Sequence, residues 1–149
     1  MIFMNDIENT IKEYGYLSFQ TKKEDWSEYK LSDGTIIKIK IVPLKLLKID
    51  KNRPVNSAVL LATFSPSEFR GEPTPPPTND DEMKEALKEI DMKFEKINEP
   101  WNEYEVEGDI TLFVKAVATS ISSTKLYDPA GEPVYFVSHQ VLTKKNPPI

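Results

Sequence analysis

Few residue types in this chain are equipped for chemistry. There is one histidine, His139, and there is no cysteine to act as a nucleophile or thiolate ligand. His139 sits in VYFVSHQVL, sharing a strand face with Tyr135, Val137 and Val141, which reads as a structural histidine. No glycine-rich stretch precedes Ser138, and no spacing points to a Ser-His-Asp site. The five glycines are isolated, so no loop can converge backbone N–H groups on a phosphate, and no βαβ unit can be drawn for a dinucleotide. Carboxylates are the abundant reactive group. Glu103, Glu105, Glu107 and Asp109 alternate as on one strand face, a row of oxygens of the kind that takes Mg²⁺ or Ca²⁺. Gly108 interrupts that row, and like charges on a strand discourage edge pairing, so it reads as a solvated face. The expectation is no enzyme, no metal and no cofactor.

Charge is distributed unevenly. The net charge of −5 argues against wholesale nucleic-acid binding. Yet Lys30 to Arg53 holds seven basic residues against two acids, a local +5, and Asp80 to Asp109 holds twelve acids against four lysines, a local −8. Lys38, Lys40, Lys45, Lys48, Lys51 and Arg53 form a candidate surface for a phosphate backbone or an acidic partner. No Phe, Tyr or Trp lies between Lys30 and Phe64, so the aromatic platform of a single-strand binder is missing from that stretch. A plain solvated face, or one that docks on the acidic second half, is the favoured reading.

The two tryptophans stand in the same setting, WSEY at Trp26–Tyr29 and WNEY at Trp101–Tyr104. Sliding the chain by 75 residues extends the match: Ile37 falls on Leu112, Ile39 on Val114, Val42 on Val117, and upstream Phe19 on Phe94. Without a gap the same offset brings Pro54 to Pro129, Val59 to Val134 and Leu61 to Phe136. An internal duplication is the expected cause. Trp26, Tyr29, Trp101 and Tyr104 are taken as structural anchors of the core, with an exposed recognition patch as the alternative.

Each half begins with a helical pattern. Ile7, Ile11 and Tyr14 form one stripe ended by Gly15; Met83, Leu87, Ile90 and Phe94 form another, predicting a helix from about Asp80 to Lys96. Strands follow. TIIKIKI alternates isoleucine and lysine after a turn at Ser32-Asp33-Gly34, and Pro43 marks a bulge or break. The second half matches with Glu103–Val106, Ile110–Ala118, Ser120–Tyr127 and Val134–Leu142. Between the halves, SPSEFRGEPTPPPTND reads as an exposed, semi-rigid linker. The organisation predicted is a first repeat at 1–64, a linker at 65–79 and a second repeat at 80–149. The fold class expected is α+β, mainly antiparallel β: two tandem helix-plus-β-meander repeats packed about a pseudo-twofold, with barrel-like closure as one form of that packing.

WSEYKLSDG at Trp26–Gly34 and YDPAGEPVYFV at Tyr127–Val137 together resemble a pattern of small β-rich archaeal proteins, in which one copy carries both ends. KNRPVNSAVLL departs from it in the first half and VEGDI in the second. The resemblance implies a β-rich fold and no activity. Abundant Lys and Glu with two Gln lean toward a hot habitat. With no basic, apolar leader and no long apolar run, the expectation is a cytoplasmic protein without membrane contact. The function expected is a non-catalytic interaction module that binds protein partners or itself, the homo-oligomer being one form of that. Nucleic-acid binding through Lys30–Arg53 is the alternative, and a carboxylate enzyme stands behind both.

Overall fold

The computed structural model describes residues 15–47 and 54–147. Strands dominate these: β1 (Tyr16–Leu17), β2 (Phe19–Lys23), β3 (Ser27–Leu31), β4 (Ile36–Leu47), β5 (Pro54–Phe64), β6 (Phe94–Asn98), β7 (Asn102–Val106), β8 (Ile110–Tyr127) and β9 (Pro133–Asn146). One α-helix, α1 (Asp80–Ala86), and a 3₁₀ turn at Ser67–Phe69 complete them. Two antiparallel sheets, ordered β1-β4-β3-β6 with β5 on the far side of β4, and β2-β7-β8-β9, curl as a half-barrel around one core.

Alternation in the sequence builds both sheets. Ile37, Ile39 and Ile41 of β4 are buried, as are Leu112, Val114 and Ala116 of β8, while Lys38, Lys40 and Lys115 between them face outward. The turn before β4 is closed by the Thr35 N–H donating to Asp33 Oδ1 (2.9 Å), with Gly34 at φ 94°. Pro43 coincides with a register shift in the β4–β5 ladder, as a residue without an N–H requires.

The halves are intertwined. β2 pairs with β7 and β6 pairs with β3, so each sheet takes its outer strand from the other half. The registers repeat across the 75-residue offset, Phe19 opposite Val106 and Phe94 opposite Leu31. Smaller contacts repeat too. The Ser32 N–H donates to Lys93 O and the Glu107 N–H to Ser18 O, both at 3.0 Å. Phe19 meets Tyr104 edge-on at 5.9 Å between centroids, and Phe94 meets Tyr29 at 5.5 Å.

Three expectations are corrected. The α+β class overstates the helix, because the described chain is β-rich and does not present two helix-plus-β repeats. The stripe at Ile7, Ile11 and Tyr14 lies outside the described residues. The second helix stops at Ala86 instead of running to Lys96, since the backbone beyond it bonds to β8: the Lys88 N–H donates to Ser123 O (2.9 Å), the Ser123 N–H to Glu89 O (2.9 Å) and the Met92 N–H to Ile121 O (2.8 Å). Met92, 4% exposed, thereby enters the core where Leu17 enters it in the first half, opposite Leu46. Tertiary pairing has overridden local helical periodicity. Finally, the gapless alignment fails after β4. Val59 is opposite Ile41 but Val141 is opposite Ala116, so the partner of Val59 in the second half is Val141, not Val134. The extra residues lengthen the β8–β9 hairpin.

The proline segment is exposed along much of its length but tied to that hairpin. Gly71, Thr74 and Pro77 are half-buried, a three-residue period that a polyproline helix gives. The Gly71 N–H donates to Gly131 O (3.0 Å), the Thr74 N–H to Tyr127 O (3.1 Å), and the Tyr127 N–H to Thr74 Oγ1 (2.9 Å).

Candidate interaction surface

The basic row lies on the outer face of the first sheet, and its described members are not bare cations. Lys38 Nζ lies 3.5 Å from Glu28 Oε1, and Lys40 Nζ lies 3.6 Å from Glu24 Oε1. Both acids belong to the first half, so these lysines do not dock on the acidic second half. Each lysine also lies over an aromatic ring: Lys38 over Phe64 (5.4 Å), Lys40 over Trp26 (5.6 Å) and Lys45 over Tyr16 (5.0 Å). Aromatics absent from the Lys30–Arg53 stretch are thus supplied by β1, β5 and the connection between β2 and β3. Lys48, Lys51 and Arg53 lie outside the described residues.

The anchors divide. Tyr29 and Tyr104 are 1% and 0% exposed, while Trp26 and Trp101 are half-buried on the outer faces. Trp101 carries Lys144 at 4.5 Å and Lys115 at 4.8 Å, as Trp26 carries Lys40. Residues three apart on a strand point to opposite faces, so W-x-x-Y places only one of its aromatics inward. That signal was present in the sequence.

Inside, each tyrosine hydroxyl crosses to the other half. Tyr29 donates to Glu99 Oε2 (2.5 Å) and Tyr104 to Glu24 Oε2 (2.9 Å). Burial, then the carboxylate it bonds, raises the pKa of each phenol, since both disfavour a second negative charge.

The carboxylate row does not converge. Glu105 pairs with Lys22 (3.5 Å), Glu107 Oε2 accepts from Ser18 Oγ (2.7 Å), and no group of three metal-ligating side chains occurs among the described residues. His139 is exposed, opposite Ala118. A cleft of about 370 Å³ is lined by Asp33, Arg70, Lys88, Glu89, Tyr127 and Tyr135, among others. At its wall the Tyr135 phenol donates to Asp33 Oδ2 (2.6 Å) and contacts Thr35 Oγ1 (3.0 Å). Burial followed by the Asp33 bond pushes that phenol up, which makes it a poor base at neutral pH.

The edges of the sheets differ more sharply. β2 carries Lys22 and Lys23, β6 carries Glu95 and Lys96, and β9 carries Lys144 and Lys145, the charges that ordinarily blunt an edge. β5 is PVNSAVLLATF and carries none. Among the described residues it pairs only with β4. Val59, Leu60, Leu61 and Phe64 are 41%, 45%, 48% and 54% exposed. The ladder places Val59 and Leu61 on the core side, opposite Ile41 and Ile39, and Leu60 on the outer side, opposite Lys40. The strand is therefore apolar and open on both faces. Its position at an edge is not legible in the sequence, because edge status depends on which strands pair across the two halves.

Compared with family models, with curated proteins and with solved structures, the chain finds no match. No helix among the described residues is long and apolar enough to cross a membrane.

Proposed function

We propose that this protein is a non-catalytic interaction module that takes up an extended protein strand along β5. The observation that carries this is the contrast between the eleven-residue β5 and the charged outer strands β2, β6 and β9, the remaining edge strand β1 being only two residues long; a long uncharged edge with apolar residues on both faces is a template for strand addition. Main-chain hydrogen bonds would supply affinity there, and side chains on alternating faces would supply selectivity. The reciprocal registers of the two halves support a duplication as the origin of the architecture. The non-catalytic reading is supported by the engagement of Glu105 with Lys22 and of Glu107 with Ser18, and by the exposed position of His139 opposite Ala118. Nucleic-acid binding is the weaker reading, because Lys38 and Lys40 already have carboxylate partners.

Peptide display against the immobilised protein tests the proposal, with Leu60→Lys as the control surface. Peptides with alternating apolar residues should be enriched on the natural chain and lost on Leu60→Lys. Their binding should change little with salt, whereas phosphate contacts weaken steeply. Equal enrichment on both surfaces, or none on a chain that is monomeric, would overturn the reading.

A further inference from the structure

We infer that the strand β5 accepts is β5 of a second copy, paired antiparallel about a twofold axis through Leu60. This rests on β5 being the binding edge. Three observations favour self-pairing. First, a strand without charge brings no like charges into opposition when it meets itself, and the charged β2, β6 and β9 offer no comparably apolar edge. Second, the pairing is self-complementary. With Leu60 opposite Leu60, Val59 meets Leu61, Ala58 meets Ala62 and Ser57 meets Thr63, so that apolar residues face apolar residues on both sides. A twofold perpendicular to the sheet keeps the core-side residues of both copies on one side, as an isologous interface requires. Third, the β4–β5 ladder runs unbroken from Ser57 to Phe64, its register shifts being confined to the Pro43–Leu46 end. That straight stretch is the one the pairing uses. Two five-stranded sheets would thereby join into one continuous sheet, covering the Val59 and Leu61 side chains that the second sheet of the same chain leaves open.

Sedimentation equilibrium of the full chain over a range of concentrations gives the test. The expected result is a monomer–dimer equilibrium. Leu60→Lys alone and Leu60→Glu alone should each weaken it by about 100-fold or more, because like charges then meet on the axis. Mixing the two variants should restore association as a one-to-one heterodimer, an outcome that unfolding of either variant would not give. A chain that stays monomeric while peptides still bind β5 overturns self-pairing and leaves the strand-addition reading standing. A monomer that binds no peptide overturns both. A dimer unaffected by Leu60→Lys uses another face, and it too overturns the inference.

Discussion

The hydroxyl of Tyr29 accepts the Ala118 N–H at 2.9 Å while donating to Glu99, whereas the hydroxyl of Tyr104 donates to Glu24 and accepts no backbone N–H among the described residues. The difference follows from one residue. The counterpart of Ala118 across the 75-residue offset is Pro43, which has no N–H to give. Tyr29→Phe should therefore cost about 1–3 kcal/mol more than Tyr104→Phe, since it alone strands a buried N–H. Urea unfolding of the two variants measures this, and equal losses would mean that the Ala118 bond contributes nothing.

Alkaline titration should expose the same phenols. Tyr29, Tyr104 and Tyr135 have folded pKa values raised above the ordinary 10.0, so the folded state holds their protons more tightly than the unfolded state. Their contribution to stability is fully present below pH 10.0 and falls as pH rises beyond it. Tyrosinate absorbance from these three should appear together with loss of the near-ultraviolet circular dichroism. Ionisation of all three while the fold is intact would contradict their burial.

Gly71 should tolerate no side chain. A Cβ there would stand 2.6 Å from the Tyr127 ring, so in Gly71→Ala either the ring swings aside or the proline segment lifts from the β8–β9 hairpin, and the prediction is that the segment lifts. The expected cost is about 1–3 kcal/mol, as for other overpacked sites. Trypsin should then cut after Arg70 faster than in the natural chain. Adding Tyr127→Leu should return part of the protection, because the two residues share one contact. An unchanged cleavage rate would show that the Tyr127 ring gives way instead of the segment.

Labelled single-stranded oligonucleotides should bind weakly, if at all, at physiological salt. Lys38 and Lys40 would have to give up Glu28 and Glu24 before releasing counterions from a phosphate backbone. Fluorescence anisotropy against salt concentration reads the result. Tight binding abolished by Lys38→Glu with Lys40→Glu would reinstate the basic face as a phosphate surface.

Local patterns made much of the fold legible. Alternation located the first part of β4, Asp33-Gly34 located the turn before it, and the WxEY match located β3 and β7, while the two strands expected at Ile110–Ala118 and Ser120–Tyr127 are one continuous β8. What was hidden depends on contacts between distant residues. The stripe Met83, Leu87, Ile90, Phe94 has helical spacing, yet the backbone from Lys88 to Met92 finds its partners on β8 and Phe94 finds a place opposite Leu31. Short β2 and β6 gave no sign of exchanging halves, because each is mostly exposed and neither alternates strongly. The candidate surface followed the same rule. Lysines were visible as a run, but the carboxylates and rings that engage them come from other parts of the chain. The open edge at β5 emerged only once its neighbours were placed.

The exchange of β2 and β6 also sets the order of events during synthesis. When β3, β4 and β5 have left the ribosome, the outer strand of their sheet, β6, has not yet emerged, and β2 waits longer still for β7. Neither sheet is complete until most of the second half has emerged. For that interval the nascent chain exposes two unpaired strands as well as β5, the state in which it depends most on chaperones.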